Sequence, residues 1–313
     1  MMFVPAAEAA LVMEERFSIR VPATCANLGC LFDCAALALS LHLELRVSPR
    51  RDGQVSLRYS GVNPERIGHH ADNLVVRVIE ESLKSWGERS GFDLEIFNQI
   101  PVGVGLGSSA AAIVAALAAA HWLAGREVHA DELIALAARR EGHPDNVAAA
   151  WHGGFTLALN DGERVLAYSC PVPDSLQLVL VVPNYALATK ASRAVLPAQY
   201  SRADAIHNLQ RATALAAQFF SGKADLHAGF FEDRWHQPYR APLVPGLADV
   251  LCLRHPDLLG VCLSGAGPSI LAFVRANAAA VGALIRGTLA QHGVQAQPHL
   301  LAADNRGAKG CNR

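Results

Sequence analysis

Pro101-Val102-Gly103-Val104-Gly105-Leu106-Gly107-Ser108-Ser109-Ala110-Ala111 lies between an apolar-alternating run ending at Ile96 and an Ala-rich run beginning at Ser108. Three glycines at alternate positions let the backbone close on an anion with N–H groups turned inward. A helix starting at Ser108 would add the positive end of its dipole. The stretch therefore reads as a phosphate cradle. It is not a Walker loop, because no Lys follows the last Gly, and its spacing differs from the dinucleotide fingerprint. At this point the alternative is an ordinary strand-to-helix turn capped by Ser108. A β-branched residue at Gly107 is expected to strain the turn and fill the phosphate site.

Working outward, apolar and polar residues alternate through Phe17, Ile19 and Val21; through Leu41, Leu43, Leu45 and Val47; through Val55, Leu57 and Tyr59; and through Phe92, Leu94 and Ile96. Period two puts alternate side chains on one face, so each run predicts a half-buried strand. Helices are predicted over 73–86, with Leu74, Val78 and Leu83 on one stripe, over 108–123 and over 130–140. Beyond a Gly153-Gly154 turn, strands are predicted over 155–159 and 176–182, the second a continuous apolar run suited to a central position. Residues 201–254 read as helical with breaks at Gly222, Pro238 and Pro245. Strands over 259–263 and 270–274 flank Ser264-Gly265-Ala266-Gly267-Pro268, a helix follows over 276–291, and a last strand is expected near 295–301. The pattern predicts a mixed α+β chain with about two cores. A boundary is expected between 160 and 175, giving units of 1–165 and 166–313.

With 313 residues the chain can bury full cores without metal or disulfide staples. Its 27 basic and 28 acidic residues nearly cancel and form no long basic block, which argues against a nucleic-acid partner. The most apolar run, 110–120, is about half the length that crosses a bilayer, so no membrane span is expected. Seven cysteines (25, 30, 34, 170, 252, 262 and 311) include no C-x-x-C pair and read as reduced cytoplasmic thiols. The steps between Cys25, Cys30 and Cys34 fit no common zinc motif, so these three are expected to be small buried thiols. Residues 1–16 carry Glu8, Glu14 and Glu15 and make a poor signal peptide. They read as an N-terminal extension, with Met13 an alternative start.

Gly105-Leu106-Gly107-Ser108-Ser109-Ala110-Ala111 resembles the central signature of the GHMP kinases, the superfamily of galactokinase, homoserine kinase, mevalonate kinase and phosphomevalonate kinase. Two further stretches resemble its other motifs in the right order. The segment from Pro22-Ala23-Thr24-Cys25-Ala26-Asn27-Leu28-Gly29 to Phe32-Asp33 is similar to the homoserine kinase version of the first, and Leu263-Ser264-Gly265-Ala266-Gly267-Pro268-Ser269 to the third. Glu141-Gly142-His143-Pro144-Asp145-Asn146-Val147, the run from Thr189-Lys190-Ala191-Ser192-Arg193 to Pro197, and His236-Gln237-Pro238-Tyr239-Arg240 resemble the homoserine kinase branch in particular. Cys25 stands where the branch usually has Ser, and Cys30-Leu31 where it has Pro-Gly.

The resemblance implies an N-terminal ATP-binding domain like ribosomal protein S5 domain 2, a ferredoxin-like C-terminal domain and an active site between them. It also implies ATP-dependent phosphorylation of homoserine, a cytoplasmic location and a homodimer. The cradle from Pro101 to Ala111 (Pro101, Val102, Gly103, Val104, Gly105, Leu106, Gly107, Ser108, Ser109, Ala110, Ala111) would then bind ATP, with Asn73 at the base or ribose. Ser109 and Glu141 are oxygen donors suited to Mg²⁺. A zwitterionic amino acid needs a guanidinium fork for its carboxylate, which Arg193 and Arg240 would supply, and Asp33 for its ammonium group. Asn27, His143 and Asn146 would hydrogen-bond the substrate or its hydroxyl, and Thr189 would reach the γ-phosphate. No carboxylate is required as a base, and Asp145 is expected to be structural. Read alone, Asn73 is equally a helix cap, Asp33 a turn residue, Glu141 a solvated charge and each arginine a surface residue. Kinases for mevalonate or a sugar, and a non-catalytic ligand sensor, are the alternatives.

Overall fold

The computed structural model describes residues 16–68, 72–162, 164–223 and 225–312. Of the expected extension only Arg16 lies within them, and Met13 lies outside. Among the described residues two antiparallel-rich sheets carry the helices.

The first sheet is built on β1 (Phe17–Asn27) and the 20-residue β2 (Leu31–Arg50), which pair along their length. β2 is long enough to take two further neighbours. Its second half pairs with β4 (Gly91–Asn98), which lies parallel to β3 (Val55–Gly61). Its first half pairs with β5 (Phe155–Asn160), which carries β6 (Val165–Cys170). Ile19, Val21, Leu43, Leu45, Leu94 and Ile96 all face the core, as their alternation predicts. Over them pack α1 (Leu74–Ser85), α2 (Ser108–Leu123), α3 (Ala130–Glu141) and α4 (Asp145–His152). α2 is buried from Ala110 to His121, which explains why it shows no polar face.

The second sheet has the order β10-β7-β9-β8 and is antiparallel throughout. Its strands are β7 (Gln177–Pro183), β8 (Leu258–Leu263), β9 (Ile270–Val274) and β10 (Ala296–Leu301). Short helices α5 (Thr189–Ala194), α7 (Gln237–Arg240) and α8 (Leu247–Leu251) flank it, with the longer α6 (Arg202–Phe220) and α9 (Ala278–Gln291). The region 201–254 is thus one long helix followed by short turns: Gly222 and Pro245 lie in breaks as expected, whereas Pro238 falls in the first turn of α7, where its missing N–H costs nothing.

A cut at 165/166 does not follow the sheets. β6 belongs to the first sheet, and β11 (Lys309–Asn312) returns to pair with β1. One apolar core also runs across both halves, joining Leu37 and Phe155 to Leu178, Phe219 and Phe273. Cys25 and Cys30 are buried as expected, but Cys34 is exposed, because it follows the left-handed turn at Asp33. Leu31 is only 3% exposed and part of that core. Its side chain supplies packing that a glycine at this position would lack.

Candidate active site

Three loops that lie far apart in sequence are tied into one joint. Thr24 N–H donates to the Leu106 carbonyl (3.1 Å), Ser269 N–H to the Val104 carbonyl (3.2 Å) and Ser264 Oγ to the Gly105 carbonyl (2.7 Å). Gly265 N–H donates to the Ala26 carbonyl (3.1 Å), and Asn27 Nδ2 returns a bond to the Gly265 carbonyl (3.0 Å). Gly105 (φ +83°) and Gly107 (φ +63°) are left-handed, and a Cβ on either would meet neighbouring atoms. At Gly107 that Cβ would lie 1.9 Å from Thr24 Oγ1. A side chain here would therefore strain the left-handed turn and displace Thr24.

Thr24 in turn donates to Asn146 Oδ1 at 2.6 Å. Asn146 opens α4 beside Asp145, whose Oδ1 accepts from His143 Nδ1 (2.8 Å), Asn146 N–H (2.7 Å) and Asn146 Nδ2 (3.3 Å). With these donors on a side chain only 1% exposed, Asp145 holds the loop together. Burial pulls the His143 pKa down, but its bond to Asp145 and the charge of Asp145 outweigh this and leave it above the ordinary value.

At the mouth of the cradle, Ser109 in the first turn of α2 donates to Glu141 Oε2 at 2.7 Å. Glu141 ends α3, and Gly142 (φ +89°) then turns the chain into His143. Two hard oxygen donors thus sit beside the helix N-terminus, a donor set that suits Mg²⁺ near phosphate.

On the opposite side, Arg193 makes a two-bonded pair with Asp33, 3.0 and 2.7 Å. The backbone at Asn27, Leu28 and Asp33 is left-handed without being glycine, so this loop is strained and must be held. Asn27 Oδ1 holds it by accepting from Asp33 N–H at 3.0 Å. Phe32 lies beneath both arginines, 5.7 Å from Arg193 and 5.4 Å from Arg240.

Arg240 also lines the cleft, with most of its guanidinium already engaged. It is 1% exposed; Nε donates to the Ser192 carbonyl (3.1 Å), while Nη1 donates to the Gly265 carbonyl (2.9 Å) and to His236 Nδ1 (3.1 Å). Burial, then the charge of Arg193, pull its pKa down to about 10. A planar fork is not free for a ligand, and among the described residues only Nη2 lacks a partner. Arg240→Ala should therefore unfold the joint more than it weakens one contact. A loss of roughly 2–4 kcal/mol in urea denaturation is expected, from acceptors left buried without donors. A stability within about 0.5 kcal/mol of the parent would refute this.

One cleft of about 380 Å³ brings together Asn27, Asp33, Asn73, Glu141, His143, Asp145, Asn146, Thr189, Arg193, Arg240 and the cradle residues 102, 103, 105–109. Pro101, Val104, Ala110 and Ala111 do not line it, and the last three are buried in the core. Asn73 caps α1 through Oδ1, which accepts from Val75 and Val76 N–H, and it also lines the cleft. Thr189 is exposed in the first turn of α5. Tyr59, Asn98 and Arg66 also line the cleft, Arg66 through a bond from Nη1 to the Val102 carbonyl (2.8 Å). Nothing in their local sequence marks them. Thr24 sits in a quoted motif, yet its bond to Asn146 spans 122 residues and was not foreseeable.

The GHMP kinases N terminal domain model matches residues 73–154. The chain is similar to the homoserine kinase of Moorella thermoacetica, 38% identical over 93% of this chain and 98% of that one. It is 42% identical to the homoserine kinase of Solibacter usitatus, over 82% and 84% of the two chains. Among solved structures, a homoserine kinase from Cytophaga hutchinsonii superposes with TM-score 0.82 at 26% identity, covering 99% of this chain and 100% of that one. A galactokinase from Lactococcus lactis, at TM-score 0.66 and 16% identity, shares the fold alone.

Proposed function

The chain belongs to the homoserine kinases of the GHMP family, and from that premise we propose that it moves the γ-phosphoryl group of ATP to the side-chain hydroxyl of L-homoserine. The product is O-phospho-L-homoserine, on the way to threonine. What carries the reading is the meeting in one cleft of a glycine cradle at a helix N-terminus with a carboxylate and a guanidinium that complement a zwitterion. A sugar or an uncharged alcohol has no use for the second half of that pairing.

Phosphoryl transfer passes through a loose transition state, so the protein's work is positioning and charge neutralisation. The N–H groups of the cradle and the dipole of α2 would hold the phosphates. Ser109 and Glu141 would hold Mg²⁺, which when bound neutralises phosphate charge. Asn73 would meet the nucleoside, and Thr189 would approach the γ-phosphate. Arg193 and Asp33 would take the carboxylate and ammonium of homoserine, and Asn27, His143 and Asn146 would orient its hydroxyl. The hydroxyl oxygen attacks the γ-phosphorus, the bond to the bridging oxygen of ADP breaks, and the proton leaves on the transferred phosphate. Asp145 is not asked to take it, since its carboxylate already accepts from three donors. A cytoplasmic location and a homodimer belong to the same reading.

A coupled ATPase assay over a panel of amino acids, sugars and mevalonate tests it. Homoserine should exceed every other acceptor in kcat/KM by at least about 100-fold, because charged groups in the cleft left unpaired by a wrong substrate penalise it. Preferred turnover of mevalonate or a sugar, or ATP binding without turnover of any acceptor, would overturn the assignment.

A further inference from the structure

The glycine cradle carries no cation of its own, since Gly107 is followed by Ser108, Ser109 and Ala110. Phosphoryl transfer depends on charge neutralisation, and a Lys or Arg side chain commonly shares that work with the metal. Among the described residues three arginines line the cleft. Arg193 is taken up by Asp33, and Arg240 by Ser192, Gly265 and His236. The third, Arg66, stands at the first glycine of the cradle. Its Nη1 donates to the Val102 carbonyl (2.8 Å) and lies 3.5 Å from where a Cβ on Gly103 would sit.

The turn that carries Arg66 is built to hold it there. Val62 N–H donates to the Asn98 carbonyl (2.9 Å), which ties the turn to the end of β4. Asn63 is left-handed (φ +54°), and the single turn Pro64–Arg66 closes on it through Arg66 N–H to the Asn63 carbonyl (3.0 Å). Pro64 suits the start of such a turn, where an N–H is not needed. Asn63 Oδ1 then accepts from Val102 N–H at 3.0 Å. One turn thus grips both polar atoms of Val102, the N–H through Asn63 and the carbonyl through Arg66. The rest of the guanidinium is left over: Nε is 3.6 Å from Glu65 Oε1, outside hydrogen-bond range, and Nη2 has no partner among the described residues. At 37% exposure the group is neither sealed in nor fully in water, so its charge acts on a bound anion through a lower dielectric than bulk solvent.

We propose that Arg66 is the fixed cation of the nucleotide site, holding Val102 with one N–H and a phosphate of the nucleotide with those that remain. It selects phosphorylated nucleotides over nucleosides, and Asn63 is the residue that positions it. This rests on the ATP reading of the cleft. The two ends of the cradle then divide the neutralising work: Ser109 and Glu141 offer oxygen to a metal at its helix end, and Arg66 offers N–H groups and a positive charge at its strand end. A guanidinium suits that place better than an ammonium, because its fork can serve a backbone carbonyl and a phosphate at once.

The test is equilibrium binding of ADP and of adenosine by calorimetry with no acceptor present, so it does not depend on which alcohol is phosphorylated. Arg66→Ala should raise the ADP Kd by roughly ten- to a hundredfold, as loss of a charge-assisted bond does, and leave the adenosine Kd within about twofold of wild type. Arg66→Gln, which removes the charge but keeps an N–H donor, should behave like Arg66→Ala. Arg66→Lys should recover part of the loss, since it keeps the charge without the fork. Added KCl should weaken ADP binding to wild type more steeply than to Arg66→Ala, because one screened attraction is already gone from the variant. Asn63→Ala loosens Val102 without removing a charge, so it should weaken ADP less and keep the salt dependence of wild type. An Arg66→Ala variant that binds ADP within about twofold of wild type, or that loses ADP and adenosine alike with the salt dependence of wild type, overturns the proposal and leaves the ATP reading standing. A wild type that binds no ADP overturns both together.

Discussion

Glu141→Gln is expected to lower kcat by at least about 100-fold while leaving the homoserine KM within a few-fold of the parent. Glutamine keeps the shape and can still accept the Ser109 hydroxyl bond, now 2.7 Å, but it removes the negative charge. A metal ligand stabilises phosphate charge mainly as the transition state forms, and several kcal/mol there correspond to two or more decades in rate. The residue is only partly buried at the end of α3, so the fold should be indifferent to the change. Raising Mg²⁺ should recover part of the lost rate, because a weakened site is refilled by mass action. A variant with parental kcat, or a loss that no Mg²⁺ concentration relieves, would remove Glu141 from the metal site. Ser109→Ala should show the same Mg²⁺ dependence more weakly, since a neutral hydroxyl contributes less than a carboxylate.

How far such residues could be read in advance depended on how local their chemistry is. The glycine cradle is legible because its three left-handed glycines, its helix start and its Ser-Ser pair are consecutive. The alternating strands were legible for the same reason. α4 was not, because the Gly142 and Pro144 before it read as loop and the helix lasts only from Asp145 to His152. β6 and β11 were missed because short strands owe their existence to register: Leu157 pairs with Tyr168, and Arg20 with Lys309. The arginines divide along the same line. A surface-or-ligand choice was open for both, but only the folded chain shows that both line the cleft, Arg240 bonded to Ser192, Gly265 and His236 and Arg193 to Asp33. Likewise, Cys30-Leu31 stands where the branch has Pro-Gly, a pair that carries both a fixed and a permissive φ. The left-handed residues are in fact Asn27, Leu28, Gly29 and Asp33, and Leu31 begins β2 as a core side chain.

The pairing of Asp33 with Arg193 leads to the sharpest expectation about substrate choice. Without a ligand, each charge satisfies the other through two bonds. A zwitterion can enter by exchange: its carboxylate takes Arg193, its ammonium takes Asp33, and two charge-assisted pairs replace one. A molecule with a single charge breaks the same pair and leaves one partner without compensation. Removing either charge from the substrate should therefore lose more than one contact. Both 4-hydroxybutyrate and 3-aminopropan-1-ol are expected to fall at least about 1,000-fold below homoserine in kcat/KM. Arg193→Ala and Asp33→Asn should each raise the homoserine KM by roughly ten- to hundredfold and spare the ATP KM. The double variant should be little worse than the weaker single one, because the two residues act as a unit. Lysine at 193 should rescue only in part, since it lacks the planar fork. The distinguishing result lies in the crossed experiment. Asp33→Asn leaves Arg193 unpaired and no carboxylate to strand, so this variant should narrow the gap between homoserine and 4-hydroxybutyrate by at least about tenfold. Additive losses in the double variant, with an unchanged gap in Asp33→Asn, would mean that the two charges serve the loop and not the substrate.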